Sequence, residues 1–170
     1  MVAGHISVTS GGAVVSRLKQ EIKQKKPFAS LQEEVILTML RAADQLAAPG
    51  NEILRQSNLS QSQYNVLRIL RGAGEEGLPC GEIANRMVRR DPDLTRLLDR
   101  LESRSLVTRV RQTADRRVVC ATITEEGLRL LGSLDDIIDE TARKTLAHLP
   151  RRRLRLLRDL LDEARGHSPD

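Results

Sequence analysis

Aromatic residues are almost absent from this sequence, which has one Phe, one Tyr and no Trp in 170 residues. Hydrophobic residues still make up 39% of the chain, so a domain of this length can bury a core. That core has to be built from Leu, Ile, Val and Ala, which suit interdigitating helices better than a sheet sandwich. The composition therefore predicts a mainly helical globular protein.

Cysteine is also scarce. Cys80 and Cys120 stand far apart, and the sequence has no CxxC pair and no Cys/His cluster. This spacing argues against a zinc site and against a disulfide-stapled secreted domain. No apolar stretch reaches the roughly 18 residues that a membrane span needs, and the N-terminus lacks a signal-peptide core. We expect a cytoplasmic protein with no membrane partner.

Enzyme signatures are missing as well. The sequence has no P-loop, no G-x-G-x-x-G, no G-x-S-x-G and no H-E-x-x-H. Its three histidines, His5, His148 and His167, are isolated and have no metal-ligand spacing. We therefore predict that the protein is not an enzyme and uses no cofactor and no metal.

Positive charge is present and is unevenly distributed. The net charge is +5, yet residues 1–30 alone carry +4 and residues 86–117 carry +5, so the rest of the chain is acidic. Basic residues concentrated in one arm and one central segment are typical of a nucleic-acid partner. The run of arginines at 151–155 more simply predicts the solvated face of a helix.

Apolar periodicity predicts the flanking helices. Residues 31–48 show a wide helical face, and Pro49 with Gly50 is expected to interrupt it before a short second helix that ends near Ser57. Thr124 is expected to cap a long helix, and Pro150 to open a final one whose leucine spacing resembles a coiled-coil seam.

The centre of the chain has a different pattern. Ser60 and Gln63 have capping-box spacing at the start of one helix, and a short helix follows at 80–87. Asp91 followed by Pro92 predicts the start of a third helix, which runs to Arg104. Residues 106–111 and 118–123 then alternate with period 2, which predicts two strands joined by a polar, basic tip at 112–117.

This order of helix, turn, helix and basic hairpin is a winged helix-turn-helix pattern. The stretch 59–127 resembles the MarR family of transcriptional regulators in the pieces LSQSQYNVLRIL, GEIANRM and DLTRLLDRLESRSLV, and in ADRRVVCATITEEG with its D-R-R wing. The resemblance implies a mainly α fold with a two-stranded β wing and an intertwined helical dimerisation region. It divides the chain into a basic arm at 1–30, dimerisation regions at 31–58 and 125–166, and a DNA-binding domain at 59–124.

The resemblance also implies a function, which is a homodimeric regulator that binds pseudo-palindromic duplex DNA and acts as a ligand-responsive repressor. The recognition helix presents Thr95, Arg96 and Arg100 to DNA, Arg117 enters the minor groove held by Asp115, and Arg116 lies on nearby phosphates. The full set of expected DNA-binding residues is Ser60, Gln63, Arg89, Arg90, Thr95, Arg96, Arg100, Asp115, Arg116 and Arg117. The sequence does not indicate which small molecule acts as the effector.

The sequence departs from the family pattern at two positions, and two alternative functions stay open. Ser105 stands where the family usually has Gly, and Pro79 stands where Ser or Thr often caps a helix. One alternative is a winged-helix protein-interaction module that does not bind DNA. The other is a redox-sensing regulator that uses Cys80, which opens a helix where the dipole can lower a thiol pKa.

Overall fold

A computed structural model describes residues 16–111 and 119–166. The first half of the predicted basic arm and the wing tip, with Asp115, Arg116 and Arg117, lie outside the described residues. The chain divides into two units, one up to Leu46 and one from Ala47 onward. Each unit is described by itself below.

The first unit contains helix α1, Arg17–Glu21, and most of helix α2, Leu31–Gln56. The Ser16 side chain caps α1 by accepting from Lys19 N, and Ser30 Oγ accepts from Glu33 N at the start of α2. The apolar face predicted for 31–48 is solvent-exposed in the single chain. Its exposed members are Leu31, Val35, Ile36, Leu40 and Leu46.

Helix α2 does not break at Pro49, so the predicted interruption is wrong. The helix continues through Pro49 and Gly50 to Gln56. A proline ring inside a helix removes the hydrogen bond to the carbonyl four residues earlier and crowds that carbonyl. Gln45 and Pro49 are both exposed, so water can bind the carbonyl that the ring leaves without a partner. The helix is therefore weakened at this position without being ended.

The second unit holds the remaining elements around one hydrophobic core. In chain order they are α3 (Gln61–Ala73), a 3₁₀ turn (Gly74–Glu76), β1 (Leu78–Pro79), α4 (Cys80–Arg86), α5 (Leu94–Glu102), β2 (Val107–Arg111), β3 (Val119–Ile123), α6 (Glu125–Thr145) and α7 (Arg151–Ala164). The largest fully buried side chains are aliphatic. They are Leu67, Leu70, Ile83, Leu98, Leu101, Leu131, Val66 and Val107. Burial of each such side chain stabilises the fold by about 1.5–3 kcal/mol. These buried residues confirm the prediction of an aliphatic, mainly helical core.

The sheet has three antiparallel strands in the order β1-β3-β2, one more than predicted. Strand β2 pairs with β3 from Val107 opposite Ile123 to Arg111 opposite Val119. Strand β1 is only two residues long, with Leu78 opposite Ala121. Two residues, one of them a proline, cannot show a period of 2, so the sequence pattern gave no sign of this strand.

Several predicted helix ends are confirmed. Ser60 and Gln63 form a reciprocal capping box on α3, and Thr124 Oγ1 accepts from Gly127 N at the start of α6. Pro79 precedes α4 and provides no side-chain cap, as its sequence position predicts. Ser105 has a left-handed φ of 57°.

The predicted start of the third helix is wrong by two residues. Asp93, and not Asp91, is the N-cap of α5, because its side chain accepts from Arg96 N at 3.2 Å. Asp91 instead accepts from Asp93 N at 3.0 Å, which closes a short turn ahead of the helix. Two nearby aspartates could each fill the capping role, and the local turn decides between them.

Candidate DNA interface

The recognition helix predicted from the sequence is α5. Leu97, Leu98 and Leu101 bury one side of this helix in the core. This burial fixes the rotation of the helix, so the opposite side must face solvent. Thr95, Arg96 and Arg100 all lie on the exposed side, in agreement with their predicted orientation.

The charged side chains of α5 pair with residues outside the helix, except that Arg100 has no such partner among the described residues. Arg96 Nε lies 3.2 Å from Asp93 Oδ2, in an exposed pair. Asp99 and Glu102 are both engaged by Arg109 of strand β2. Arg100 has no carboxylate within 4.0 Å among the described residues. The helix therefore presents the guanidinium of Arg100 to solvent although its total charge is small.

Arg109 joins the wing to the recognition helix, and the sequence pattern did not identify it. Its Nη2 lies 2.6 Å from Asp99 Oδ1 and 2.5 Å from Glu102 Oε2, and its backbone N–H donates to Glu102 Oε1 at 3.1 Å. The hydrogen bond from Arg109 lowers the pKa of Glu102, and the same bond raises the pKa of Arg109. The strand alternation placed Arg109 on a strand, but nothing in it indicated an acidic partner on α5.

A small cleft lies along the exposed side of α5 and has a volume of about 150 Å³. We call it the recognition cleft. It is lined by Ser60, Gln63, Asp91, Asp93, Arg96, Leu97 and Arg100. The structure thus brings together four of the predicted DNA-binding residues, Ser60, Gln63, Arg96 and Arg100, although they come from two helices.

A larger cleft of about 470 Å³ adjoins the first and shares Ser60 and Asp91 with it. We call it the arginine cleft, because Arg68, Arg89 and Arg90 all line it. The predicted residues Arg89 and Arg90 are both exposed there, in the turn between α4 and α5. Its three arginines face a single carboxylate, that of Asp91, so the cleft is positively charged.

Two residues of the arginine cleft were missed by the sequence reasoning. Asn65 Oδ1 accepts from Val88 N at 2.9 Å, across 23 positions of the chain. The Arg68 guanidinium carbon lies 5.8 Å from the centre of the Tyr64 ring. Arg68 stands one helical turn after Tyr64, a spacing that could have suggested the contact, whereas nothing in the sequence links Asn65 to Val88.

Cys80, the predicted redox residue, is partly buried at the start of α4. Its Sγ lies 4.0 Å from the Val119 carbonyl oxygen. Both cysteines are thiols, and the residue opposite Cys120 in the sheet is Pro79 rather than Cys80. Cys80 itself is the first residue of α4 and has no partner in the sheet register.

Within residues 16–111 and 119–166, no group of three or more His, Cys, Asp and Glu side chains is arranged to hold a metal ion. None of the helices in these same ranges is both long enough and apolar enough to cross a bilayer.

Comparison with known proteins gives the same assignment as the fold. Residues 59–119 match the model of the MarR family. The HTH-type transcriptional regulator FarR of Neisseria gonorrhoeae is 31% identical over 81% of this chain and 92% of its own length. The crystal structure of a MarR transcription factor from Planctomyces limnophilus superposes with a TM-score of 0.62, with 40% identity over 80% of this chain and 98% of that one.

A further solved structure is similar along most of its length. This is NadR in complex with 4-hydroxyphenylacetate, with a TM-score of 0.65 and 31% identity over 82% of this chain and 97% of that one. The family match covers the helix-turn-helix and most of the wing, and the relatives extend the similarity through the flanking helices. The chain belongs to the MarR family, and it is a winged-helix DNA-binding transcriptional regulator.

Proposed function

We propose that the protein is a homodimeric, ligand-responsive repressor in the cytoplasm and that it binds pseudo-palindromic duplex DNA through α5 and the wing. The observation that carries this proposal is the exposed face of α5, which lies beside the positively charged arginine cleft and on which Arg100 has no acidic partner among the described residues. Phosphate neutralisation by such arginines supplies affinity, and contacts to base edges supply sequence preference. The role is regulatory and not catalytic.

Each predicted residue has a role in this proposal. Thr95 and Arg100 reach base edges in the major groove, where a good arginine contact to guanine contributes about 1–3 kcal/mol of discrimination. Arg96, Ser60 and Gln63 approach the phosphate backbone along the recognition cleft. Arg89 and Arg90 contact phosphates from the arginine cleft. The sequence-based roles of Asp115, Arg116 and Arg117 at the wing tip complete the proposed site.

Dimerisation is supported by apolar surface that the single chain leaves in water. Helix α7 exposes Leu156, Leu157, Leu160 and Leu161. Helix α2 exposes Leu31, Ile36 and Leu40, each by more than half of its surface. Clustered exposed leucines of this kind mark a protein interface. We propose that 31–58 and 125–166 form the dimerisation region and that 59–124 forms the DNA-binding domain.

Ligand response is proposed by analogy with NadR, whose structure contains 4-hydroxyphenylacetate. A ligand releases DNA only if it binds more tightly to an arrangement of the two lobes that does not fit the operator. This chain has one Phe and one Tyr, so aromatic stacking can contribute little to its ligand site. We expect polar and charged side chains to provide most of the recognition.

The proposal is tested by selecting bound fragments from a genomic library at physiological salt. The Arg100→Ala, Arg117→Ala double variant is then titrated on the recovered duplex by fluorescence anisotropy. We expect weaker binding, because the variant loses one base-edge contact and one minor-groove contact, each worth about 1–3 kcal/mol. The matched control is Arg152→Ala, Arg155→Ala, which removes two exposed arginines of α7. Wild-type affinity in the Arg100, Arg117 variant would rule out this site.

The same titrations separate the alternatives. A protein-interaction module would show no salt-dependent binding to any duplex. A Cys80-based redox switch requires peroxide to release DNA from the wild type and to leave the Cys80→Ser variant bound. Release that is unchanged by Cys80→Ser would dismiss the redox mechanism.

A further inference from the structure

We propose that the arginine cleft binds a phosphodiester group of the DNA backbone, with Arg68 as a further contact residue and Asn65 as the positioning residue that shapes the cleft. This inference rests on the proposed DNA-binding function. It adds a third arginine, from α3, to the two that the sequence placed in the turn between α4 and α5.

Asn65 fixes the turn that carries two of the arginines. Its side-chain oxygen accepts from the backbone N–H of Val88, the residue immediately before Arg89. Val88 is 85% exposed, so its side chain contributes almost no packing that could hold the turn in place. The hydrogen bond from Val88 N to Asn65, next to the buried Met87, therefore helps to hold the turn against α3, and Arg89 and Arg90 line the same cleft as Arg68.

Arg68 is available for an anion although an acidic residue lies nearby. Asp135 on α6 is close enough for Arg68 to lower its pKa. However, Arg71 donates hydrogen bonds to both oxygens of that carboxylate, at 2.7 and 3.0 Å. No carboxylate lies within 4.0 Å of Arg68 among the described residues. The Tyr64 ring, 5.8 Å from the guanidinium, restrains Arg68 on the cleft side without neutralising it.

The location favours a backbone phosphate. The arginine cleft and the recognition cleft share Ser60 and Asp91, so the three arginines lie beside the face of α5 that approaches the major groove. A duplex docked on α5 carries phosphates on both edges of that groove. Arginine forms bidentate hydrogen bonds with phosphate oxygens, and such contacts carry no sequence preference of their own.

The first test measures the salt dependence of DNA binding by Arg68→Gln. Anisotropy titrations from 50 to 200 mM salt use the selected duplex and a mixed-sequence duplex. We expect the slope of log affinity against log salt to become shallower by about one, with similar losses on both duplexes. Arg152→Gln, which removes an exposed arginine of α7, is expected to keep the wild-type slope.

The second test uses Asn65→Asp and Asn65→Ala. Asparagine and aspartate both offer an oxygen to Val88 N, so a purely structural role predicts wild-type DNA binding for Asn65→Asp. A phosphate cleft predicts weaker binding by Asn65→Asp, because the new carboxylate repels the anion and competes for the arginines. Asn65→Ala is expected to weaken binding on both duplexes by releasing the turn, with no change in the midpoint of thermal unfolding beyond a few degrees.

Three results would overturn the inference while wild-type DNA binding is intact. They are a wild-type slope in Arg68→Gln, wild-type affinity in Asn65→Asp, or an equal loss of slope in Arg152→Gln.

A small-molecule anion as the true occupant is tested with benzoate and inorganic phosphate in thermal-shift assays. Stabilisation by benzoate that vanishes in Arg68→Gln, with DNA binding unaltered, would assign the cleft to a small acid instead. Absence of DNA binding by the wild type contradicts the proposed function itself.

Discussion

The backbone at Ser105 adopts a φ of 57°, the left-handed conformation in which a side chain is unfavourable by roughly 1 kcal/mol or more. The turn is otherwise well bonded, since Ser105 N donates to the Glu102 carbonyl at 2.8 Å and the Ser105 carbonyl accepts from Thr124 Oγ1 at 2.7 Å. The strain therefore persists because both neighbouring elements hold the residue. Ser105 lies between the recognition helix α5 and strand β2 of the wing.

We expect Ser105→Gly to stabilise the protein by up to about 1 kcal/mol, because glycine adopts this conformation without the Cβ penalty but loses more entropy on folding. The measurement is the urea midpoint at fixed protein concentration. Ser103→Gly is the matched control, since Ser103 is right-handed with a φ of −61° and should lose stability on the same change. A lower midpoint for Ser105→Gly would contradict the strain argument.

Residue-level sequence reasoning was reliable where one local rule decides the outcome. The capping box at Ser60, the cap at Thr124 and the uncapped Pro79 all follow from the side chain and its position alone. Contacts between distant residues were not accessible in this way. Asn65 with Val88, and Arg109 with Glu102, depend on how elements pack, and no local pattern encodes them.

At the scale of elements, one ion pair ties the DNA-binding helices to the helix that follows the wing. Arg71 of α3 and Asp135 of α6 form a two-pronged pair, which lowers the pKa of Asp135 below its ordinary value. A carboxyl whose pKa is depressed by folding adds stability above its unfolded pKa, and this stability is lost as the pH falls through the folded pKa. The pair thus contributes at neutral pH and not in strong acid.

We expect Asp135→Asn to lower the free energy of unfolding at pH 7 by less than about 1 kcal/mol, because both side chains are more than a third exposed and solvent screens the pair. The difference from wild type should shrink as the pH falls below the ordinary aspartate pKa of about 3.9 and through the lower pKa of folded Asp135. Urea titrations from pH 7 to pH 3 measure this convergence. Asp136→Asn, a change at the adjacent exposed position without an ion pair in the described structure, should leave the acid dependence unaltered. A constant gap between Asp135→Asn and wild type would exclude the pair as its cause.

The types and order of the longer elements could be predicted because each has several turns of periodicity. The exceptions have physical reasons that a periodicity search does not contain. Pro49 is accommodated within α2 because the position is open to water, and β1 exists because β3 has a free edge for two residues to pair with. Gly77 makes this pairing feasible, since a Cβ there would lie 2.5 Å from the Ala121 carbonyl oxygen.

For the whole molecule, the uneven burial of leucine is the main clue to assembly. The core of the second unit is fully buried, whereas α7 has no buried residue and leaves Leu156 and Leu160 more than half exposed. An amphipathic helix whose apolar side faces water is stabilised when a partner covers it. The spacing of Leu154, Leu157, Leu161 and Ala164 predicts a coiled-coil seam. Leu157 and Leu161 of that seam are exposed in the single chain, and Leu156 and Leu160, one position earlier, are more exposed still.

We expect the Leu156→Glu, Leu160→Glu double variant to dissociate the dimer, because it places two carboxylates in the proposed interface. Both side chains are mostly exposed in the single chain, so the fold of the protomer should survive. Arg155→Glu on the same helix changes the net charge by the same amount and is the matched control. Light scattering after size exclusion should give a monomer for the leucine variant and a dimer for the control.

The monomer should bind the selected duplex weakly and protect one half-site, because the second lobe no longer binds at a fixed distance of about one helical turn. A dimeric leucine variant with wild-type DNA protection would show that α7 is not the interface, and the exposed leucines would then need another partner.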